Sequence, residues 1–121
     1  MPYLLVVDDD QTLAYLYEEE LTDDGYEVTV AHSGKAALRS IEDKRPDLVV
    51  LDISMPDMDG IEALGKILGK DETIPVIFNT AYSVYRDDFM TWSADAYVIK
   101  SGDLSELRQR IKEVLKRRTG T

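Results

Sequence analysis

Leu48-Val49-Val50-Leu51-Asp52-Ile53-Ser54-Met55-Pro56-Asp57-Met58-Asp59-Gly60 decides the fold. Four consecutive large apolar residues flanked by aspartates describe a strand buried on both faces, the pattern of the middle of a parallel sheet. Asp52 therefore stands at the carboxyl end of a central strand. In open α/β sheets, the crevice outside those ends is where ligands bind. The residues that follow cannot prolong the strand. Pro56 has no amide hydrogen, and Asp59-Gly60 is turn chemistry that also sets a capping carboxylate before an apolar-periodic segment.

Upstream, Tyr3-Leu4-Leu5-Val6-Val7 is a second unbroken apolar run that ends in carboxylates, Asp8-Asp9-Asp10. A helix is expected from about Gln11 to Asp24, with Leu13, Leu16, Tyr17 and Leu21 inward and Gly25 closing it. Tyr26 to Val30 alternates and is β-branched, which suits an edge strand. Ser33 can cap a second helix whose stripe is Ala37, Leu38 and Ile41, and Lys44-Arg45-Pro46 ends it. A third helix is expected from Gly60 to Leu68, and a fourth strand over Pro75-Val76-Ile77-Phe78-Asn79. The aromatic-rich segment Tyr82 to Trp92 reads as a fourth helix and Ala96 to Ile99 as a fifth strand. Asp103, with Glu106 three residues on, starts a fifth helix with Leu104, Leu107, Ile111, Val114 and Leu115 inward. Strands and helices alternating at this spacing predict a doubly wound, five-stranded parallel sheet of order 2-1-3-4-5, a flavodoxin-like (βα)₅ domain.

The chain of 121 residues suits a single domain over 1–121, with about 117–121 a basic tail or the start of a linker. It contains no cysteine, so thiolate metal sites and cysteine nucleophiles are excluded. The opening apolar run is too short for a signal peptide or a membrane span, so a cytoplasmic protein without membrane contact is expected. The formal charge of −10 argues against direct nucleic-acid binding, which needs Lys and Arg to neutralise phosphates. Residues 100–121 nevertheless carry 7 basic and 3 acidic groups, which suits a helix whose cations face its negative dipole end.

The predicted strand order sets strands one and three side by side, so Asp8, Asp9 and Asp52 converge. Like charges at close range must protonate or recruit a cation, and an all-oxygen site of this kind suits Mg²⁺. Asp10, Asp57 and Asp59 read instead as helix or turn caps. Strands four and five end in Thr80-Ala81 and Ile99-Lys100, which brings a hydroxyl and an ammonium toward the rim where a phosphoryl oxygen at Asp52 would need donors. His32 reads as a surface residue away from the crevice.

In this order and spacing, Val7-Asp8-Asp9, Asp52 followed by Met55-Pro56-Asp57-Met58-Asp59-Gly60, Thr80-Ala81 and Tyr97-Val98-Ile99-Lys100 resemble the receiver domain of two-component response regulators over essentially the whole chain. The resemblance implies that Asp52 is the phosphoacceptor and that Asp9, Asp8, Asp52 and the backbone carbonyl of Ser54 form the Mg²⁺ site, with Asp8 acting largely through water. It also implies that Thr80 and Lys100 hold the phosphoryl oxygens and that Thr80 and Tyr97 form a switch. The implied protein is a signalling domain rather than an enzyme, catalysing only its own phosphorylation and dephosphorylation. Its implied partners are a sensor histidine kinase or phosphotransfer protein and a homodimer through helix four, strand five and helix five. Ser54 and Tyr82, two residues after the acceptor and two after Thr80, should flank the path of an attacking water. Neither is a good base, so a long-lived aspartyl phosphate is expected. One departure stands out: the family's proline after the lysine is Ser101 here, so a trans Lys100–Ser101 peptide is expected.

Two rivals are weaker. Asp8-Asp9-Asp10-Gln11-Thr12 also fits the D-x-D-x-T nucleophile motif of haloacid-dehalogenase-type phosphatases, in which Asp8 would be phosphorylated, but no acidic pair follows Lys100. An unphosphorylated binding module of the same fold would have no use for a full set of competent residues.

Overall fold

The computed structural model describes residues 1–81 and 93–119, with side chains through 117. In chain order the elements are β1 (Tyr3–Val7), α1 (Gln11–Asp23), β2 (Glu27–Ala31), α2 (Gly34–Asp43), β3 (Leu48–Leu51), α3 (Gly60–Lys70), β4 (Val76–Thr80), β5 (Ala96–Ile99) and α4 (Ser105–Thr119). The expected helix over Tyr82 to Trp92, Tyr82 included, lies outside the described residues. The fifth helix of the sequence reading is α4.

The strands form one parallel sheet of order β2-β1-β3-β4-β5. Every residue of β1 and β3 is buried, whereas β2 is buried only at Ala31. This is the contrast expected between central strands and an edge. Alternation along the strands divides the core in two. Leu5, Val7, Val49, Leu51, Val76 and Phe78 pack with Ala37, Ile41, Ala63, Leu64 and Ile67 of α2 and α3. On the other face, Leu4, Val6, Val50, Ile77 and Val98 meet Tyr17 and Leu21 of α1 and Leu107, Ile111 and Val114 of α4.

Helix ends follow their caps. Asp10, Ser33 and Asp59 accept the amides of Leu13, Ala36 and Glu62 at 3.1, 3.1 and 2.9 Å. α1 closes in a Schellman turn: Tyr26 N donates to Leu21 O, Gly25 N donates to Thr22 O, and Gly25 takes φ +98°, where a side chain would be strained.

Three expectations need correction, and a fourth is narrowed. The inner stripe of α1 is Ala14, Tyr17 and Leu21, and Leu16 is 38 % exposed. Steps of three and four from Ala14 keep one face inward, and Leu16 lies about 100° off Tyr17. Of the helix and turn positions open to Asp57, the structure gives it the turn. Asp57 is the middle of a tight turn closed by Met58 N donating to Pro56 O at 2.8 Å, with φ +68°. Asp103 accepts from the amide of Ser105, two residues on, at 2.9 Å; the carboxylate forms a local turn instead of a capping box with Glu106. β4 extends through Thr80, one residue beyond the expected strand. No cis peptide occurs among the described residues, so Lys100–Ser101 is trans as expected.

Candidate phosphoacceptor site

The sheet ladder runs on past the strand ends and places the site. Asp8 N donates to Ala31 O and Asp52 N to Val7 O, both at 3.0 Å, and Lys100 N donates to Thr80 O at 2.7 Å. Because Val7 lies beside Leu51, the next residues, Asp8 and Asp52, are lateral neighbours. Each carboxylate then folds back on its own loop. Asp8 Oδ1 accepts from Asp10 N at 2.9 Å, and Asp52 Oδ1 accepts from Ser54 N at 3.3 Å. These local bonds turn both Oδ2 atoms toward one cation. Lys100 Nζ lies 2.8 Å from Asp8 Oδ2 and 2.9 Å from Asp52 Oδ2.

Asp8 and Asp52 are 1 % and 4 % exposed, so the three charges form a desolvated cluster. Burial pushes the Asp8 carboxyl above its ordinary pKa; Lys100 and the Asp10 amide oppose that rise, and the charge of Asp52 adds to it. For Lys100 burial acts downward, but the hydrogen bonds and charges of Asp8 and Asp52 outweigh it and hold the ammonium above its usual value. Lysine is thus locked in its cationic form. Asp8 Oδ2 is at ion-pair distance from Lys100 but lacks an aligned donor, and among the described residues no other buried side-chain oxygen or nitrogen is left without a hydrogen bond.

Asp8, Asp9 and Asp52 each offer a carboxylate oxygen, and these oxygens lie within 4.8 Å of one another. A hard, all-oxygen set with one buried carboxylate oxygen held only by its ion pair to Lys100 and an exposed third ligand fits Mg²⁺, which retains waters and takes few protein ligands. The opening above this set, about 250 Å³, is lined by Asp8, Asp9, Asp10, Asp52, Ser54, Ala81 and Lys100. A larger depression of about 480 Å³ lies at the other end of the sheet, among Pro2, Asp47, Pro75 and Leu115. Its charged side chains are already engaged: Arg45 binds Asp71, and Asp47 accepts the Tyr3 amide.

The structure therefore brings Asp8, Asp9, Asp52, Ser54 and Lys100 together. Thr80 ends β4 and is fully buried, and Ala81 after it lines the opening. Tyr97, beside Phe78 in the sheet register, is half-buried on the same face as Phe78, with its ring centroid 6.0 Å from that of Phe78. His32 is exposed as expected, but it is not remote: its Nδ1 sits 3.2 Å from the backbone oxygen of Asp8.

Two residues at the site escaped the sequence reading. Asn79 of β4 and Tyr17 of α1 are 4 % and 2 % exposed. Burial raises the Tyr17 phenol above its ordinary pKa; Asn79 and the charge of Lys100 oppose that rise, and Asp8 and Asp52 add to it. The available signals were an amide ending the apolar run Val76-Ile77-Phe78 and a phenol on the inner stripe of α1.

Comparison with known proteins agrees with this geometry. The profile of the family described as "Response regulator receiver domain" matches residues 4–112. The chain is 39 % identical to the transcriptional regulatory protein PrrA of Mycobacterium tuberculosis, covering 99 % of this chain and 52 % of that protein. It is also 39 % identical to the response regulator ArlR of Staphylococcus epidermidis, covering 97 % and 54 %. The chain thus spans about half the length of the curated relatives it matches. Among solved structures, it is similar to the response regulator TrrA of Thermotoga maritima in complex with Mg(2+)-BeF, with a TM-score of 0.91, 42 % identity and coverage of 94 % and 99 %. It matches equally a structure of the histidine kinase ThkA in complex with TrrA, with a TM-score of 0.89, 43 % identity and coverage of 95 % and 99 %.

Proposed function

The chain belongs to the response regulator receiver domains, and from that premise we propose that Asp52 accepts a phosphoryl group from a histidine kinase or phosphotransfer protein, with Mg²⁺ held by Asp9, Asp52, the Ser54 carbonyl and, through water, Asp8. The observation that carries this reading is the Lys100 ammonium, shared at 2.8 and 2.9 Å by two buried carboxylates at adjacent strand ends. In the reaction, an Asp52 oxygen bonds to phosphorus as the bond from phosphorus to the donor's imidazole nitrogen breaks. The electron pair leaves with the imidazole. A bound Mg²⁺ supplies positive charge that neutralises the phosphoryl oxygens. Lys100, pre-placed and cationic, moves little to pair with a new oxyanion on Asp52. Water attack on the aspartyl phosphate reverses the modification, so the domain catalyses only its own phosphorylation and dephosphorylation.

The haloacid-dehalogenase reading loses support at Asp10, whose carboxylate is already the N-cap of α1. The formal charge of −10 leaves nucleic acid to other parts of any longer protein. Phosphoryl incorporation from a small acyl-phosphate donor should stop in excess chelator. Mg²⁺ at a hundred times its dissociation constant should stabilise the fold by about 2.7 kcal/mol. Asp9→Asn should lose most of that gain; an undiminished gain would remove Asp9 from the metal set.

The signal follows from the placement of Thr80. If its hydroxyl rises to a phosphoryl oxygen at Asp52, space opens beside Phe78 on the face where Tyr97 already packs. Inward movement of that ring biases β5 and α4, together with the helix expected over 82–92, toward a partner or a second copy. Amide chemical shifts of β5 and α4 should therefore change on adding beryllofluoride and Mg²⁺. Shifts confined to the loops around Asp52 would contradict the switch.

A further inference from the structure

At Asp8 the ladder between β1 and β2 changes its donor. Val7 pairs with Ala31, and Asp8 N carries the ladder one step further by donating to Ala31 O at 3.0 Å. In a parallel ladder of this register the next donor, to Asp8 O, is the amide of Ser33. Ser33, however, is already the N-cap of α2. Among the described residues the donor that Asp8 O meets is a side chain, His32 Nδ1, at 3.2 Å. The end of β2 and the residue after it thus grip Asp8 twice, once at its amide and once at its carbonyl. A carbonyl oxygen can only accept, so the imidazole donates: Nδ1 carries a proton, and in the neutral ring Nε2 keeps the lone pair.

What this bond holds is the peptide between Asp8 and Asp9. A peptide group is planar, so fixing its oxygen fixes its amide and the start of Asp9 with it. Asp9 has little else to orient it. The carboxylates of Asp8 and Asp52 are buried, tied to their own loops and paired with Lys100. Asp9 is exposed, and among the described residues its carboxylate has no hydrogen-bond or ion-pair partner. The backbone therefore aims it. On the α1 side that backbone is anchored at Asp10, whose amide donates to Asp8 Oδ1 and whose carboxylate caps the helix. On the sheet side the anchor is His32, which is itself exposed and adds little to the core.

We propose that His32 is a positioning residue of the metal site: its Nδ1–H, donated to Asp8 O, fixes the Asp8–Asp9 peptide and keeps the Asp9 carboxylate turned toward those of Asp8 and Asp52 for Mg²⁺. The proposal rests on Asp9 as a Mg²⁺ ligand. His32 touches neither the ion nor the reacting atoms, and it acts through the peptide it holds, as outer partners of metal ligands do.

The test uses the unphosphorylated protein, in which His32 is the single histidine. At a pH about two units above the ordinary imidazole value, ¹⁵N NMR of the ring should show the tautomer protonated at Nδ1. A bare Nδ1 would mean that no hydrogen bond reaches Asp8 O, and would overturn the proposal. His32→Phe keeps a ring and removes the donor, whereas His32→Asn loses the ring and sets an amide N–H where Nδ1 was. In Mg²⁺ titrations followed by amide shifts, His32→Phe should bind about 3- to 10-fold more weakly, the worth of one hydrogen bond. Its Asp9 amide should be displaced before any metal is added, and His32→Asn should recover most of the lost affinity. A ring that merely fills space would give the reverse order, with His32→Phe close to the wild type and His32→Asn weaker, and that order would overturn the proposal. Asp9→Asn separates the two layers of the argument. Weakened Mg²⁺ binding there, with none in His32→Phe, would overturn the positioning role alone; undiminished binding in Asp9→Asn would overturn the metal reading beneath it.

Discussion

Gly60→Ala is expected to cost at least about 3 kcal/mol of stability, a large effect for one methyl group. A Cβ at Gly60 would stand 2.2 Å from Asp52 O, 2.7 Å from Ile53 Cα and 2.9 Å from Asp52 C. All three are backbone atoms, so no flexible side chain can give way. The approach is itself fixed, because Gly60 N donates to Ile53 O at 2.8 Å and the Asp59 carboxylate holds the first turn of α3. Relief would have to come from moving α3 off the sheet or moving the peptide that carries Asp52, and either displaces the acceptor. Gly69 in the same helix has nothing within 4 Å of its added Cβ. Gly69→Ala should therefore stabilise by about 0.5–1 kcal/mol. Urea unfolding of both variants checks the pair. A Gly60→Ala midpoint matching the wild type would mean that the close approach does not constrain the fold.

Asp52→Asn should abolish phosphoryl uptake outright. The amide is nearly isosteric, so packing, the bond from Ser54 N and the neighbouring carboxylates can persist, but an amide oxygen is a far poorer nucleophile and carries no charge for Lys100 or a cation to align. Asp8 does not substitute for it. At 1 % exposed against 4 % for Asp52 it lies deeper, and its Oδ1 already accepts from the Asp10 amide. Asp9 is exposed but has no ammonium on it: Lys100 pairs with Asp8 and Asp52. Uptake in Asp52→Asn at more than a trace of the wild-type rate would reopen the question of which aspartate reacts.

Much of this was legible in the chain because strands report burial by composition. Leu48-Val49-Val50-Leu51 and Tyr3-Leu4-Leu5-Val6-Val7 have no polar face, so they had to be central, and the carboxylates that follow them had to meet. Caps at Asp10, Ser33 and Asp59 were legible because a short side chain that accepts an amide hydrogen is a local device. Leu16 misled because hydrophobicity does not fix helical phase: Ala14, small and easily overlooked, occupies the inward position instead. Thr80 and Asn79 were harder. Neighbours on a strand point to opposite faces, so the places of Thr80 and Asn79 relative to Asp52 depend on register with β3, and no spacing within β4 carries that information. Tyr17 and Asn79 are both buried, lie far apart in sequence, and each looks ordinary alone. The contact of His32 with Asp8 O is likewise tertiary, made by the pairing of β1 with β2.

The most direct test of the central claim is chemical location of the acyl phosphate. Wild-type protein is incubated with acetyl phosphate and Mg²⁺, reduced with borohydride to convert any aspartyl phosphate to homoserine, digested, and sequenced by mass spectrometry. The account predicts homoserine at position 52, absent when chelator is present. Homoserine at position 8 or 9, or a phosphoryl group on a hydroxyl or histidine instead, would contradict it.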